Sequence, residues 1–261
     1  MLKRILKLTL IAVMALVAIA AASFIPVLWR KTADMQALDG QYVRVYYQAE
    51  AAAAQDVFAL AEANAATITQ ALKLADPPVI DIYVYDSQTQ MQRRKYGLLI
   101  PLLGLPWYIG DNLGADVILT SPAATGTAHD AQSILGAAPH EMVHAYVYTM
   151  NPGIRLWLTE GMALYLTNGE PFHRDILGRR AIPSLSDTRT KNPIHFSSMG
   201  GYAFAHTYIE YLRSAYGWEQ VLSLIVSQDY ETVFGKPEEA VYQEWVQYLQ
   251  TYPAKKLFSF P

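Results

Sequence analysis

From Leu8 to Leu28 the chain runs for 21 residues without a charge, and this stretch restricts what its N-terminus can become. As a helix it would be roughly 31 Å long at about 1.5 Å per residue, which matches the hydrocarbon core of a bilayer. Lys3, Arg4 and Lys7 precede it, and Trp29-Arg30-Lys31 follows as an interfacial anchor. Cations ahead of an apolar helix stay on the cytoplasmic side, so the body of the chain is expected at the extracytoplasmic (periplasmic) face. Ala20-Ala21-Ala22 before Ser23 also suits a signal-peptidase site, which would make the protein secreted. The apolar run continues past those small residues through Phe24-Ile25 and Val27-Leu28, and this favours an uncleaved signal anchor.

The remainder is read as a polar connector over 32–40 and one domain over 41–261, long enough to bury a sizeable core. Residues 1–31 hold five of the 20 basic residues and none of the 23 acidic ones, so the rest carries a net charge of −8. An acidic body without a basic stripe argues against nucleic acid as a partner. There is no cysteine, which excludes disulfides, thiolate metal sites and a cysteine nucleophile. A transition-metal site in this chain must use His, Asp or Glu.

Short β-branched and aromatic runs come first. Gln41–Gln48, Val79–Tyr85 and Asp116–Ser121 read as strands, with helices expected over Glu50–Leu74 and Ser87–Lys95. From about Ala131 the pattern is helical, broken at Asn151-Pro152-Gly153, around Asn168–Pro193, at Gly217 and at Gly235-Lys236-Pro237. Strands followed by helices predict an α+β fold, a small N-terminal sheet and a mainly helical C-terminal half behind one transmembrane helix.

Within that helical half lies His140-Glu141-Met142-Val143-His144. On a helix, positions i and i+4 share a face, so both imidazoles can reach one metal ion. Glu141 sits about 100° around the helix, near enough to touch a metal-bound water without ligating. Two core histidines around a buried Glu would instead leave an ionisable trio to be buried without a counter-ion. A catalytic zinc takes three protein ligands and keeps one position open. Met150 stands where a third histidine six residues after His144 would be needed, leaving Glu160 and Glu170 as candidates. His144 and Glu160 are each eight residues from Pro152, so an antiparallel hairpin about that turn sets Glu160 opposite His144. Glu170, in Asn168-Gly169-Glu170-Pro171, reads as a solvated turn residue, and Glu160 is favoured.

At these residues the chain resembles the peptidase MA-like family of gluzincin metallopeptidases. The resemblance rests on His140–His144, on Trp157-Leu158-Thr159-Glu160-Gly161-Met162-Ala163, and on a later helical segment around Tyr202 and Tyr208–Leu212. It covers about residues 115–230 and implies a zincin-like fold, one Zn2+ per chain on His140, His144 and Glu160, Glu141 as general base, and hydrolysis of peptide bonds. Some gluzincins carry an Asp four residues after the ligand Glu to orient a ligand His. Here that position is Leu164, so the orienting acceptor must come from elsewhere.

Hydrolysis also needs a donor for the developing oxyanion, and Tyr202 and His206, one turn apart on an expected helix Gly201–Ala215, are the downstream candidates. An ordinary core role for either is an equal reading. Zincin folds place an edge strand before the active-site helix, which makes Asp116–Ser121 a candidate for pairing with extended substrate. His129, His173 and His195 are expected in loops without function. The uncharged stretch Gly97–Gly110 is expected to form a hydrophobic flap, near the active-site cleft or toward the membrane, through Leu99, Leu102, Leu103 and Trp107. The expected activity is thus a membrane-held zinc peptidase acting on a peptide or protein. The alternatives are a zinc hydrolase of another amide, such as a cell-wall peptide, and an inactive tethered binding or assembly module.

Overall fold

The computed structural model describes residues 2–100, 104–167 and 172–252. The fold is α+β. The chain forms two compact units, one running through Glu62 and resuming over Asp81–Ala138, the other comprising Ala63–Ile80 and the residues from Pro139 onward.

The first unit opens with helix α1, Leu2–Ser23, whose large apolar side chains are exposed from Ile5 to Ile19. It is long and apolar enough to cross a membrane, and its exposure separates it from a core helix of similar composition. A short 3-10 turn, Ile25–Leu28, continues it. A five-stranded sheet follows in the order β1-β2-β3-β5-β4. Its strands are β1 (Gln36–Asp39), β2 (Val43–Tyr47), β3 (Ile80–Tyr85), β4 (Gly110–Leu113) and β5 (Asp116–Thr120). β1 and β2 are antiparallel, β3 and β5 parallel, and β4 and β5 antiparallel.

Three of these strands match the expected runs, and two differ. Gln36–Asp39, inside the stretch expected as connector, pairs with β2. β4 is short and carries Asp111 and Asn112, so no apolar alternation betrays it. Its pairing with β5 corrects a second expectation. β5 is bonded on both sides, by β3 and by β4, and has no open edge to offer an extended peptide.

Between strands lie helices α2 (Ala51–Ala71) and α3 (Gln88–Tyr96). Ser87 caps α3 by accepting from the Gln90 amide, the interaction that its position before the helix favours. The apolar stretch after α3 divides in two. Ile100 and Tyr108 are buried and Leu105 packs on the core of Tyr83, Tyr85, Met91 and Ile118, whereas Leu98, Leu99 and Trp107 are exposed. Leu102 and Leu103 lie outside the described residues. The carbonyls of this irregular segment are satisfied by side chains of α3. Gln92 Nε2 donates to Leu105 O at 2.7 Å, and Gln88 Nε2 to Pro106 O at 2.8 Å and Tyr108 O at 2.9 Å.

Helix α4 (Ala131–Met150) begins in the first unit and continues into the second. The second unit then holds α5 (Leu156–Leu166), α6 (Pro193–Ser198), α7 (Gly201–Tyr216), α8 (Trp218–Ser227), α9 (Tyr230–Phe234) and α10 (Glu238–Gln250). The breaks fall where Gly and Pro stand, with Gly217 at φ 88 and Gly235 at φ 69, a region closed to most other residues. The core of this unit is aromatic. Trp157 of α5 meets Trp245 of α10 at 5.6 Å, Phe196 of α6 at 6.0 Å and Tyr208 of α7 at 6.2 Å between ring centroids.

Candidate metal centre

The site is built on the hairpin of α4 and α5. Asn151 closes the turn through its own side chain, accepting from the Gly153 amide at 2.9 Å, and donates to Ile225 O at the end of α8 at 2.9 Å. Gln228, beyond α8, accepts from the Arg155 amide at 3.0 Å and donates to Gly153 O at 3.0 Å. The turn is therefore held from both sides, which sets the register of α5 against α4. Pro139 lies inside α4, immediately before His140, and cannot donate to the carbonyl of Leu135. The ladder is thereby one bond short in the turn that introduces the motif.

On α4, the rings of His140 and His144 lie 4.7 Å apart and nearly perpendicular, with Nε2 atoms 3.1 Å from each other. Glu160 of α5 places Oε2 3.4 Å from Nε2 of His140 and 3.6 Å from Nε2 of His144. The side chains are 20%, 7% and 12% exposed for His140, His144 and Glu160. The hairpin argument from sequence thus brings together the three residues it singled out. Glu170 lies outside the described residues.

Glu160 Oε2 is buried, and the imidazole nitrogens that face it stand at 3.4 and 3.6 Å, long for hydrogen bonds. A cation would satisfy it, and the spacing suits one. Donors arranged tetrahedrally about an ion at about 2.0–2.1 Å lie roughly 3.3–3.4 Å apart, against 3.1, 3.4 and 3.6 Å here. By the same triangle, a point equidistant from all three atoms is about 2 Å from each. Two nitrogens and one oxygen form a donor set that zinc accepts. The residues fit the ion. Burial pushes the Glu160 carboxyl up, but the neighbouring His144 and His140 outweigh it and hold the group well below the ordinary carboxylate range.

Two further residues shape the trio, and neither was singled out from the sequence. Thr159 Oγ1 lies 2.8 Å from Nδ1 of His144. With Nδ1 protonated, the ring N–H donates to the hydroxyl oxygen and Nε2 keeps its lone pair toward Glu160 and His140. Thr159, next to Glu160, offers in that tautomer the orienting acceptor that Leu164, which is buried, does not. The second residue is Gly161. A Cβ at that position would stand 2.7 Å from Ala205 O and 2.8 Å from Ile209 Cγ1 of α7, so only glycine allows α5 to lie this close to α7.

Glu141 follows His140 on α4 and is half-buried. Tyr202 sits in the first turn of α7 with its ring edge-on to Phe196 at 5.0 Å. His206 is fully buried on the same helix, with its ring 5.7 Å from Tyr165. Neither belongs to the donor trio. His195, expected in a loop, is on α6, with Nε2 2.9 Å from Asp187 Oδ1 at the surface. We found no family model, characterised protein or solved structure that matches this chain.

Proposed function

We propose that this protein is a zinc-dependent peptidase of the gluzincin type, held at the extracytoplasmic face of a membrane by α1. The observation that carries the reading is the His140–His144–Glu160 trio, with donor atoms 3.1–3.6 Å apart, beside a carboxylate on the next residue after His140 on α4. A structural zinc site has no use for such a neighbour, whereas hydrolysis needs a base at the open position.

When bound, zinc would acidify a water toward neutral pKa and polarise a scissile carbonyl. His140, His144 and Glu160 would hold the ion, and Thr159 would keep His144 in the tautomer that ligates. Glu141 would take the proton of the attacking water and deliver it to the leaving amine. Tyr202 is the favoured donor to the oxyanion, by its place in the segment that resembles the family. Lys3, Arg4 and Lys7, in the first turns of α1, support its orientation.

The test uses the full chain purified in detergent. It should hold one zinc per chain, lost in His140→Ala, His144→Ala and Glu160→Ala. Glu141→Gln should retain zinc and lose cleavage of a peptide library, because the amide preserves shape but is not a base. Zinc-loaded wild-type protein that cleaves no member of the library, and binds peptides as tightly as Glu141→Gln does, would point to a tethered binding module instead.

A further inference from the structure

The junction between α1 and the first unit is braced rather than loose. Leu98, just after α3, donates its amide to Ser23 O in the last turn of α1 at 2.8 Å. Gly97 makes that approach possible. It has φ 83, and a Cβ there would lie 2.5 Å from Ser23 O. Arg94 Nη1 donates to Trp29 O at 2.8 Å and to Pro26 O at 3.3 Å, spanning the 3-10 turn. Tyr85 Oη on β3 donates to Arg30 O at 2.6 Å, the Arg30 guanidinium pairs with Asp116, and Lys31 Nζ lies 4.4 Å above the Tyr46 ring. Every residue from Pro26 to Lys31 that could act as a hinge is thus flanked by contacts to the sheet or α3.

This bracing has a consequence for depth. If α1 crosses a bilayer, Ser23 lies at or below the outer boundary of the hydrocarbon, since the apolar run continues five residues beyond it to Leu28. A residue hydrogen-bonded to Ser23 O must sit at about the same depth. Phe24, Leu98 and Leu99, next to that bond along the chain, are apolar and uncovered. Leu28 is 71% exposed, Leu99 53% and Trp107 52%, with Phe24, Trp29 and Leu98 also exposed. The segment that presents Trp107 is irregular, yet its carbonyls are held by Gln88 and Gln92, and Tyr108 and Leu105 are packed inward. Fixed, outward-facing Leu and Trp side chains next to the exit of an apolar helix are the composition of an interfacial membrane contact.

We infer that Leu98, Leu99 and Trp107 insert into the lipid interface beside the 3-10 turn Ile25–Leu28, so that the first unit is seated in the bilayer and not suspended from it. The inference rests on α1 being a retained membrane anchor. Its occupant is the leaflet in which α1 ends, because that surface is continuous with the helix and the intervening chain is braced.

The absence of native cysteine makes the test direct. Leu28→Cys, Leu99→Cys and Trp107→Cys, each labelled with a small environment-sensitive fluorophore, are reconstituted as full chains in phosphatidylcholine–phosphatidylglycerol vesicles. Emission is then quenched by aqueous iodide or by nitroxide attached to the lipid acyl chain. All three sites are exposed, so labelling leaves the fold intact, which circular dichroism checks. The expected result is that lipid nitroxide removes most of the emission at all three positions and iodide removes little. Lipid quenching at Leu28 with iodide quenching at both Leu99 and Trp107 would overturn the seating while leaving the anchor in place. Iodide quenching at Leu28 as well would remove the anchor, and the seating with it. None of these outcomes depends on zinc or on Glu141, so the peptidase reading stands or falls separately.

Discussion

Thr159→Val removes one hydroxyl from the candidate metal centre and little else, which makes it a sharp test of how the proposed zinc site is oriented. Valine is nearly isosteric with threonine, and residue 159 is only half-buried on α5, so the hairpin should fold unchanged. What is lost is the 2.8 Å contact between Oγ1 and Nδ1 of His144. A hydrogen bond to a group that bears charge is worth about 1.5–3 kcal/mol, and the imidazole of a ligated dication is such a group. With tenfold in affinity per ~1.4 kcal/mol, the zinc dissociation constant should rise roughly 10–100-fold, the range seen when a ligating histidine loses its outer partner. Competition against a fluorescent chelator at fixed pH measures this directly. Thr159→Ser restores a hydroxyl at the same position and should recover most of the affinity. If Thr159→Val binds zinc as tightly as wild type, the hydroxyl does not hold the ring, and the ligating tautomer of His144 must be set by another group.

Gly161→Ala should lower the melting temperature, since its Cβ meets backbone and side chain of α7 at 2.7 and 2.8 Å and overpacking of this kind costs about 1–3 kcal/mol. Because Glu160 is the adjacent residue, zinc affinity should fall with it, and a variant as stable as wild type would refute the close approach of α5 to α7. Glu244 is held at about 2 by hydrogen bonds from Lys236 and from the hydroxyls of Tyr216 and Tyr211, against an ordinary 4.5. A depressed carboxylate contributes stability that is complete above the ordinary value and vanishes as pH falls through the folded value. Thermal melts of Glu244→Gln and wild type should therefore differ at pH 6, with wild type more stable, and converge between pH 4.5 and 2. A difference independent of pH over that range would show that the carboxylate charge is not what stabilises α10.

The parts of the molecule legible in the sequence are those that local geometry decides. The spacing of His140 and His144 needs only a helix to put both rings on one face. The reach of Glu160 needs only a turn at Asn151-Pro152-Gly153 and equal arms on either side of it. Strands β2, β3 and β5 are apolar enough to declare themselves, and the run Leu8–Leu28 is too long and too uncharged for a core helix. What stayed hidden depends on how elements are rotated and paired. Thr159 becomes the partner of His144 only because α5 presents that flank to α4, an angle about the helix axis that eleven mostly apolar residues do not encode. Gly161 reads as an ordinary helix glycine until α7 is in place against it. β4 is a strand because β5 lends it hydrogen bonds, and the same pairing makes β5 an interior strand. The stretch Gly97–Gly110 could be recognised as apolar, yet which of its side chains face the core and which stand beside the end of α1 was settled by Ser23, Gln88 and Gln92. Those are polar groups distant in sequence, whose hydrogen bonds hold an irregular backbone in one shape.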